Sequence, residues 1–169
     1  MPAGLKTTSS IIAIGFDANE TAANTFVQSQ IDLNLSPLDR EVFVVLSINM
    51  DGESPDAIDG TDTSVLSSLT STTQTAVQLL SNSNCMAHSA KVIRCADATN
   101  WGAPFSTALE TPPSNLEYIA IIATSDFFVQ CQGFGNTSLK GVSGKMYGYR
   151  ARANADIFAA LVQSEVLSA

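Results

Sequence analysis

Between Val27 and Leu35 the chain alternates with period two. Val27, Ile31, Leu33 and Leu35 fall on one side, and Gln28, Gln30, Asp32 and Asn34 on the other. Successive side chains of an extended strand point to opposite faces, so this pattern predicts a strand with one dry and one wet face. The neighbouring segments carry the same signature. Residues 11–16 form a short apolar run between Ser9-Ser10 and Asp17, and Ser36-Pro37-Leu38-Asp39 turns the chain. Residues 42–50 are richer in β-branched side chains, as expected of a strand covered on both faces.

Further along, 64–75 reads as a strand followed by a helical turn to Leu80, and 87–95 as another strand. Residues 96–115 read as a long irregular connection carrying Trp101, Gly102, Pro104 and Pro112-Pro113. Two strands, 117–124 and 126–133, meet at a tight turn at Ser125. The turn-rich stretch 133–144 has four glycines and leads into a last strand, 145–153. Asn154 is placed to cap a terminal helix over about 155–167, whose Ile157, Phe158, Leu161 and Val162 share one face. About eight strands, one short helix and no βαβ rhythm predict an all-β chain. The expected fold is an antiparallel sandwich or jelly roll in one domain spanning 1–169.

Composition supports that reading. A chain of 169 residues with 45% hydrophobic content suits one domain with a real core, and excludes disorder as the overall state. The longest aliphatic runs, 42–46 and 118–123, are far short of the roughly 18 residues a spanning helix needs. The first seven residues lack the long apolar stretch of a secretory signal. Cys85, Cys95 and Cys131 make an odd set with no C-x-x-C spacing, so reduced thiols in a cytoplasm are expected, with Cys131 a small core residue. The sequons Asn19-Glu20-Thr21 and Asn136-Thr137-Ser138 are expected by chance in a chain so rich in Ser and Thr.

The charge pattern is the unusual feature. Only 14% of residues are charged, against about 25% in a typical soluble chain. Twenty Ser and fifteen Thr outnumber the 24 charged residues, and the net charge is −8. The few charges are sorted. Asp51, Glu53, Asp56, Asp59 and Asp62 follow one another with no base among them. Lys140, Lys145, Arg150 and Arg152 lie in a stretch, 127–155, that has no acid. In Tyr147-Gly148-Tyr149-Arg150-Ala151-Arg152 the strand period puts the arginines on one face and the tyrosines on the other. Three readings fit: contact with a nucleic-acid backbone, contact with the acidic loop of another copy, or ion pairs within the chain. Net negative charge weakens the first, because counterion release rewards basic surfaces. The acidic loop is also a low-odds calcium site, although its spacing lacks the D-x-D-x-D-G core of an EF-hand.

Catalytic chemistry finds little purchase. His88 is the only histidine, and nothing around it resembles a nucleophile motif such as G-x-S-x-G. Gly133-Phe134-Gly135 lacks the third glycine and the following helix of a phosphate loop, and Gly144-Lys145-Met146 lacks the rest of a P-loop. No catalytic residue, resident metal or cofactor is expected, and the chain reads as something other than an enzyme.

In this organisation the chain resembles the small single jelly-roll coat proteins of icosahedral viruses. The resemblance is one of architecture and composition. It is seen in Leu38-Asp39-Arg40-Glu41-Val42-Phe43-Val44-Val45 entering a central strand, and in the strand-plus-helix of 147–167. Many nucleic-acid-packaging coats carry a basic N-terminal arm, whereas residues 1–10 hold only Lys6. The resemblance implies a virion structural protein, a capsid or capsid-associated subunit, made in the host cytoplasm and assembling with copies of itself and other virion proteins. The expected contacts are Asp56, Asp59 and Asp62 against Lys140, Lys145, Arg150 and Arg152, with Trp101 and Phe105 as apolar anchors. The competing expectation is a β-sandwich binding module, with Trp101 stacking on a carbohydrate and calcium held by Asp51, Glu53, Asp56, Asp59 and Asp62.

Overall fold

A computed structural model of the chain describes residues 4–97, 99–106, 108–110 and 117–167. Its strands are β1 (Leu5–Thr7), β2 (Ile12–Asn19), β3 (Val27–Asp32), β4 (Glu41–Gly52), β5 (Thr63–Thr70) and β6 (Cys85–Asp97). Three short strands follow, β7 (Asn100–Gly102), β8 (Phe105–Ser106) and β9 (Ala108–Glu110). The chain ends with β10 (Ala120–Ile122), β11 (Asp126–Phe134), β12 (Gly141–Ala153) and the helix α1 (Ala155–Leu167).

These strands form two antiparallel sheets. In the first, β12 and β4 are the central pair. β1 and β2 lie along the outer edge of β12, and β10 and β9 along the outer edge of β4. In the second the order is β3-β11-β5-β6, with β7 and β8 on the free edge of β6. Joining β1 with β2 and β9 with β10, and setting β7 and β8 aside as edge pieces, leaves the eight strands the sequence suggests. Numbered along the chain, they run 1-8-3-6 in one sheet and 2-7-4-5 in the other. First thus pairs with last, second with seventh, third with sixth and fourth with fifth. That nesting is the jelly roll: a long hairpin wrapped into two facing sheets.

The core lies between the sheets. Phe16, Phe43, Val45, Ile48, Met50 and Met146 from the first sheet meet Val65, Leu69, Phe127, Val129 and Cys131 from the second. The Phe16 and Phe127 rings pack edge to face, centroids 6.0 Å apart at 84°. In β4 the register slips: Val45 faces Gly148, Ser47 faces Tyr147, and Leu46 is the extra residue of a β-bulge. The bulge keeps Ile48 and Met50 on the same inner face as Phe43 and Val45. Val42, Val44 and Leu46 then look outward into a second apolar layer formed by Ile157, Phe158, Leu161 and Val162 of α1. This double cover explains why 42–45 is buried on both sides. Asn154 caps the helix as expected, its Oδ1 accepting the N–H of Ile157 at 2.9 Å.

Several boundaries differ from the sequence reading. β5 stops at Thr70 rather than 75, and no helical turn reaches Leu80. The backbone N–H groups of Gln74 and Gln78 bond to side chains of the sheet, Gln28 Oε1 at 2.8 Å and Ser68 Oγ at 3.0 Å, rather than to carbonyls a turn earlier. β3 ends at Asp32 because Asn34 has a left-handed φ of 51°. β12 begins at Gly141, four residues before the expected start. Part of the 96–115 connection is ordered as β7, β8 and β9, while 111–116 lie outside the described residues.

Candidate functional site

The acidic loop and the last strand meet inside one chain. Asp56 Oδ1 lies 2.6 Å from Lys140 Nζ, and the lysine side chain is only 6% exposed. The Asp56 carboxylate also accepts the backbone N–H groups of Thr137 and Ser138, each at 2.9 Å, and both of their hydroxyls. Lys140 and these hydrogen bonds hold the Asp56 carboxyl far below the usual carboxylate range.

Glu20, which is buried, works beside it. Its carboxylate accepts the N–H of Gly133 at 2.8 Å and of Lys140 at 3.0 Å. Asn136 completes the knot: Nδ2 donates to the Ser64 carbonyl, and Oδ1 accepts the Asp56 N–H at 2.9 Å. Three loops, 20–26, 53–62 and 135–140, are thereby tied together at one end of the sandwich. Asn136 is one of the sequon asparagines, and its burial removes it from solvent.

The other sorted charges have local partners too. Arg150 donates to the carbonyls of Leu33 at 2.8 Å and Asn34 at 3.2 Å and lies 3.4 Å from Glu41, fastening the turn after β3. Arg152 pairs with Asp39 at 3.0 Å, Lys91 with Asp51 at 2.7 Å and Arg94 with Asp62 at 2.6 Å. Arg94 and a backbone N–H lower the Asp62 pKa. Asp56, Asp62, Lys140, Arg150 and Arg152, expected at contacts between copies, are thus engaged within the chain. Glu53, Asp59 and Lys145 are exposed. The five acids of 51–62 diverge, and among the described residues no group of three His, Cys, Asp or Glu side chains could hold a metal ion. β7 and β8 carry the backbones of Trp101 and Phe105; their side chains lie outside what is described.

The outer face of the second sheet carries a polar row, buried at its centre. Gln28, Gln130, Ser68 and His88 stand side by side across four strands. Ser68 Oγ donates to Gln130 Oε1 at 2.8 Å, and Gln130 Nε2 donates to Gln28 Oε1 at 3.0 Å and Thr70 Oγ1 at 2.7 Å. Gln130 and Ser68 are fully buried because 71–84 folds back over them. His88 Nε2 has no partner, and burial pushes the imidazole pKa down. Burial therefore favours the neutral form of the ring beside Ser68. Cys131 is a core thiol whose pKa burial raises to about 12.

Sequence reasoning missed Glu165. It is buried at the end of α1, and Oε2 accepts the N–H groups of Ala123 at 3.1 Å and Thr124 at 2.9 Å. Oε1 has no partner, and desolvation, aided by nearby Asp126, raises the pKa. The helical spacing offered one signal, since Glu165 lies four residues after Leu161, on the docked face.

No family model and no curated protein matches the chain. Solved structures are similar to it, two of which are these. A chain of Desmodium yellow mottle tymovirus is 13% identical, with a TM-score of 0.32, over 92% of this chain and 95% of that one. A chain of an unassembled Washington University polyomavirus VP1 pentamer is 9% identical, with a TM-score of 0.38, over 89% of this chain and 98% of that one. Both are viral proteins, and each likeness runs through nearly the whole of both chains.

Proposed function

We propose that the chain is a structural subunit of a virion, a coat or coat-associated protein that works by packing against copies of itself rather than by catalysis. The observation that carries this reading is the exterior. The sorted charges are largely tied up in pairs within the fold, and large aliphatic and aromatic side chains stand out from a surface poor in charge. Leu38 is 98% exposed, and Leu79, Leu80, Phe134 and Leu139 are exposed beside polar loops. Single exposed apolar residues are ordinary on any protein. Their setting here, on a jelly roll whose polar surface is mostly hydroxyl and amide, gives neighbours little charge to desolvate.

The interface set expected from sequence divides by burial. Exposed pairs such as Arg152–Asp39 and Arg94–Asp62 are screened by solvent, add little to stability and can exchange partners at a contact. Lys140–Asp56 is sheltered and stays internal. Asp59, Lys145 and the Trp101–Phe105 region remain proposed contact residues. Sedimentation velocity and negative-stain microscopy of the purified chain across protein and salt concentration test the proposal. Oligomers or ordered particles are expected. A monomer at every concentration and salt, with no particles, overturns it.

A further inference from the structure

We infer that α1 is a proton-operated latch. With the Glu165 carboxyl protonated, the last turns of the helix lie docked against the sandwich, and ionisation of that carboxyl frees them to swing out about Asn154.

The side chains that hold the helix down are unevenly buried. Ile157, Phe158, Leu161 and Val162 are only half-buried against the layer that contains Val42, Val44 and Ala123. Among the described residues of α1, Glu165 alone is buried, at 8% exposed. A carboxyl thus sits deepest, where an aliphatic side chain ordinarily anchors a docked helix. Its Oε2 accepts the N–H groups of Ala123 and Thr124, which ties the last turns to the connection between β10 and β11. Oε1 is buried without a partner. A neutral carboxyl in that position forgoes one hydrogen bond, whereas a carboxylate there is a buried charge without a counter-ion.

Among the described residues no base pairs with that charge, and its surroundings oppose it. From β11, Asp126 acts on it with like charge, and Asp32 of β3 stands opposite Asp126. The helix adds Asp156 about two and a half turns away and no base in its last turn, where the helix dipole is itself negative. Residues 71–84 hold no titratable side chain. β6 brings Met86, with the Cys85 thiol turned to the carbonyls of Gln78 and Ala87. The first sheet adds the phenols Tyr118 and Tyr149 to the layer, and Glu117 is exposed beside Tyr118. Arg150 of β12 is committed to the Leu33 and Asn34 carbonyls and to Glu41. Burial, aided by Asp126, lifts the Glu165 carboxyl above its usual range despite the two N–H donors. Docking is therefore complete in acid and weakens as pH rises through the native value.

The two ends of the helix are fastened differently. At the first turn the Asn154 N–H bonds to the Gly4 carbonyl at 3.2 Å, Asn154 Oδ1 caps Ile157, and Ile157 packs directly over Gly4. None of those groups titrates. Beneath the last turns a cavity of about 150 Å³ separates Leu161, Ser164 and Glu165 from Ser83, Asn84 and Met86. Packing there is incomplete, so release starts at the C-terminal end and runs back toward Asn154. It uncovers the apolar stripe of the helix and the layer of Val42 and Val44 beneath it.

Hydrogen–deuterium exchange of the full chain from pH 5 to 8, corrected for the intrinsic exchange rate, tests the latch. In the wild type, protection of 155–167 should fall about fivefold or more over that range, while β5 stays constant. Glu165→Gln keeps an oxygen for the two N–H groups and cannot ionise, so its helix should stay equally protected throughout. Asp126→Asn leaves Glu165 in place and removes the like charge, so the fall should shrink. The latch is overturned if the wild-type helix is indifferent to pH, if Glu165→Gln loses protection as the wild type does, or if β5 loses it equally. Should Glu165→Gln fail to fold, Asp126→Asn carries the test, and a fall as large as that of the wild type counts against the latch.

Discussion

Lys140 and Asp56 show what a buried cation and its half-buried counter-charge do for loops with little apolar content. The ammonium is almost fully covered, and the same carboxylate also satisfies two backbone N–H groups. Asp56→Ala leaves that ammonium without a counter-charge, so a loss of about 3 kcal/mol is expected in urea denaturation. The pH dependence follows from the depressed pKa. The native carboxyl holds its proton less tightly than the unfolded one, so the pair stabilises fully above about pH 4 and weakens as pH falls toward the native value. Asp56→Asn should flatten that acid limb. Glu165 acts in the opposite direction. Its native pKa is raised, so its contribution is complete below the ordinary value of 4.5 and is lost as pH rises through the native value. Glu165→Gln keeps an oxygen for Ala123 and Thr124 but cannot ionise. Denaturation from pH 4.5 to 8 should show a decline in the wild type relative to this variant, and parallel curves would remove Glu165 as its source. The alternation of arginine and tyrosine in 147–152 could be read from the sequence. The Lys140–Asp56 pair could not, because its members are 84 positions apart and composition says only that both charges exist.

Among the elements, β12 carries the most constraint, and its glycines show why. A Cβ on Gly148 would sit 2.3 Å from the Val44 carbonyl oxygen and 2.5 Å from the Phe43 ring. A Cβ on Gly144 would sit 2.3 Å from the Asn49 carbonyl oxygen and 2.6 Å from the Phe16 ring. Two core phenylalanines thus lie over positions that only glycine can fill. Gly148→Ala should cost about 1–3 kcal/mol, as overpacking does, whereas Gly15→Ala, whose Cβ meets open space, should stay within about 0.5 kcal/mol. Paired thermal denaturation checks both, and equal losses would mean that close approach is not the reason for glycine at 148. Elements with strong periodicity were legible: the alternation through β3, the β-branched run of β4, and the capped helix with its apolar stripe. The 71–84 segment was not, because its conformation is set by side chains from β3 and β5 that take up its backbone donors. A local pattern carries no trace of partners that distant. The bulge at Leu46 was hidden for a similar reason, since a continuous apolar run such as 42–46 gives no alternation in which to see a slip.

At the scale of the whole molecule, the sequence supported two sheets and about eight strands, but not their order. The nesting of first with last and fourth with fifth depends on long-range pairs such as Gly148 with Val45 and Gln130 with Ser68. The segregation of acids from bases was equally visible, and it pointed to two possible destinations, the next copy or the same chain. Closure of the jelly roll brings the loop after β4 beside the loop before β12, which places Asp56 against Lys140 in one chain. That changes the expected force between copies. Association through the acidic loop of one and the basic strand of another would be an attraction between opposite charges, and added salt would weaken it. Association through exposed apolar side chains such as Leu79 and Leu80 works against the mutual repulsion of chains at −8 each, and salt screens that repulsion. The dissociation constant is therefore expected to fall as sodium chloride rises from about 0.05 to 0.5 M, over which the Debye length shortens from roughly 14 to 4 Å. Sedimentation velocity at fixed pH measures the sign directly. A dissociation constant that rises with salt would return the contact to Asp59, Lys145 and the exchangeable surface pairs, and would move the leucines of 79–80 out of the interface.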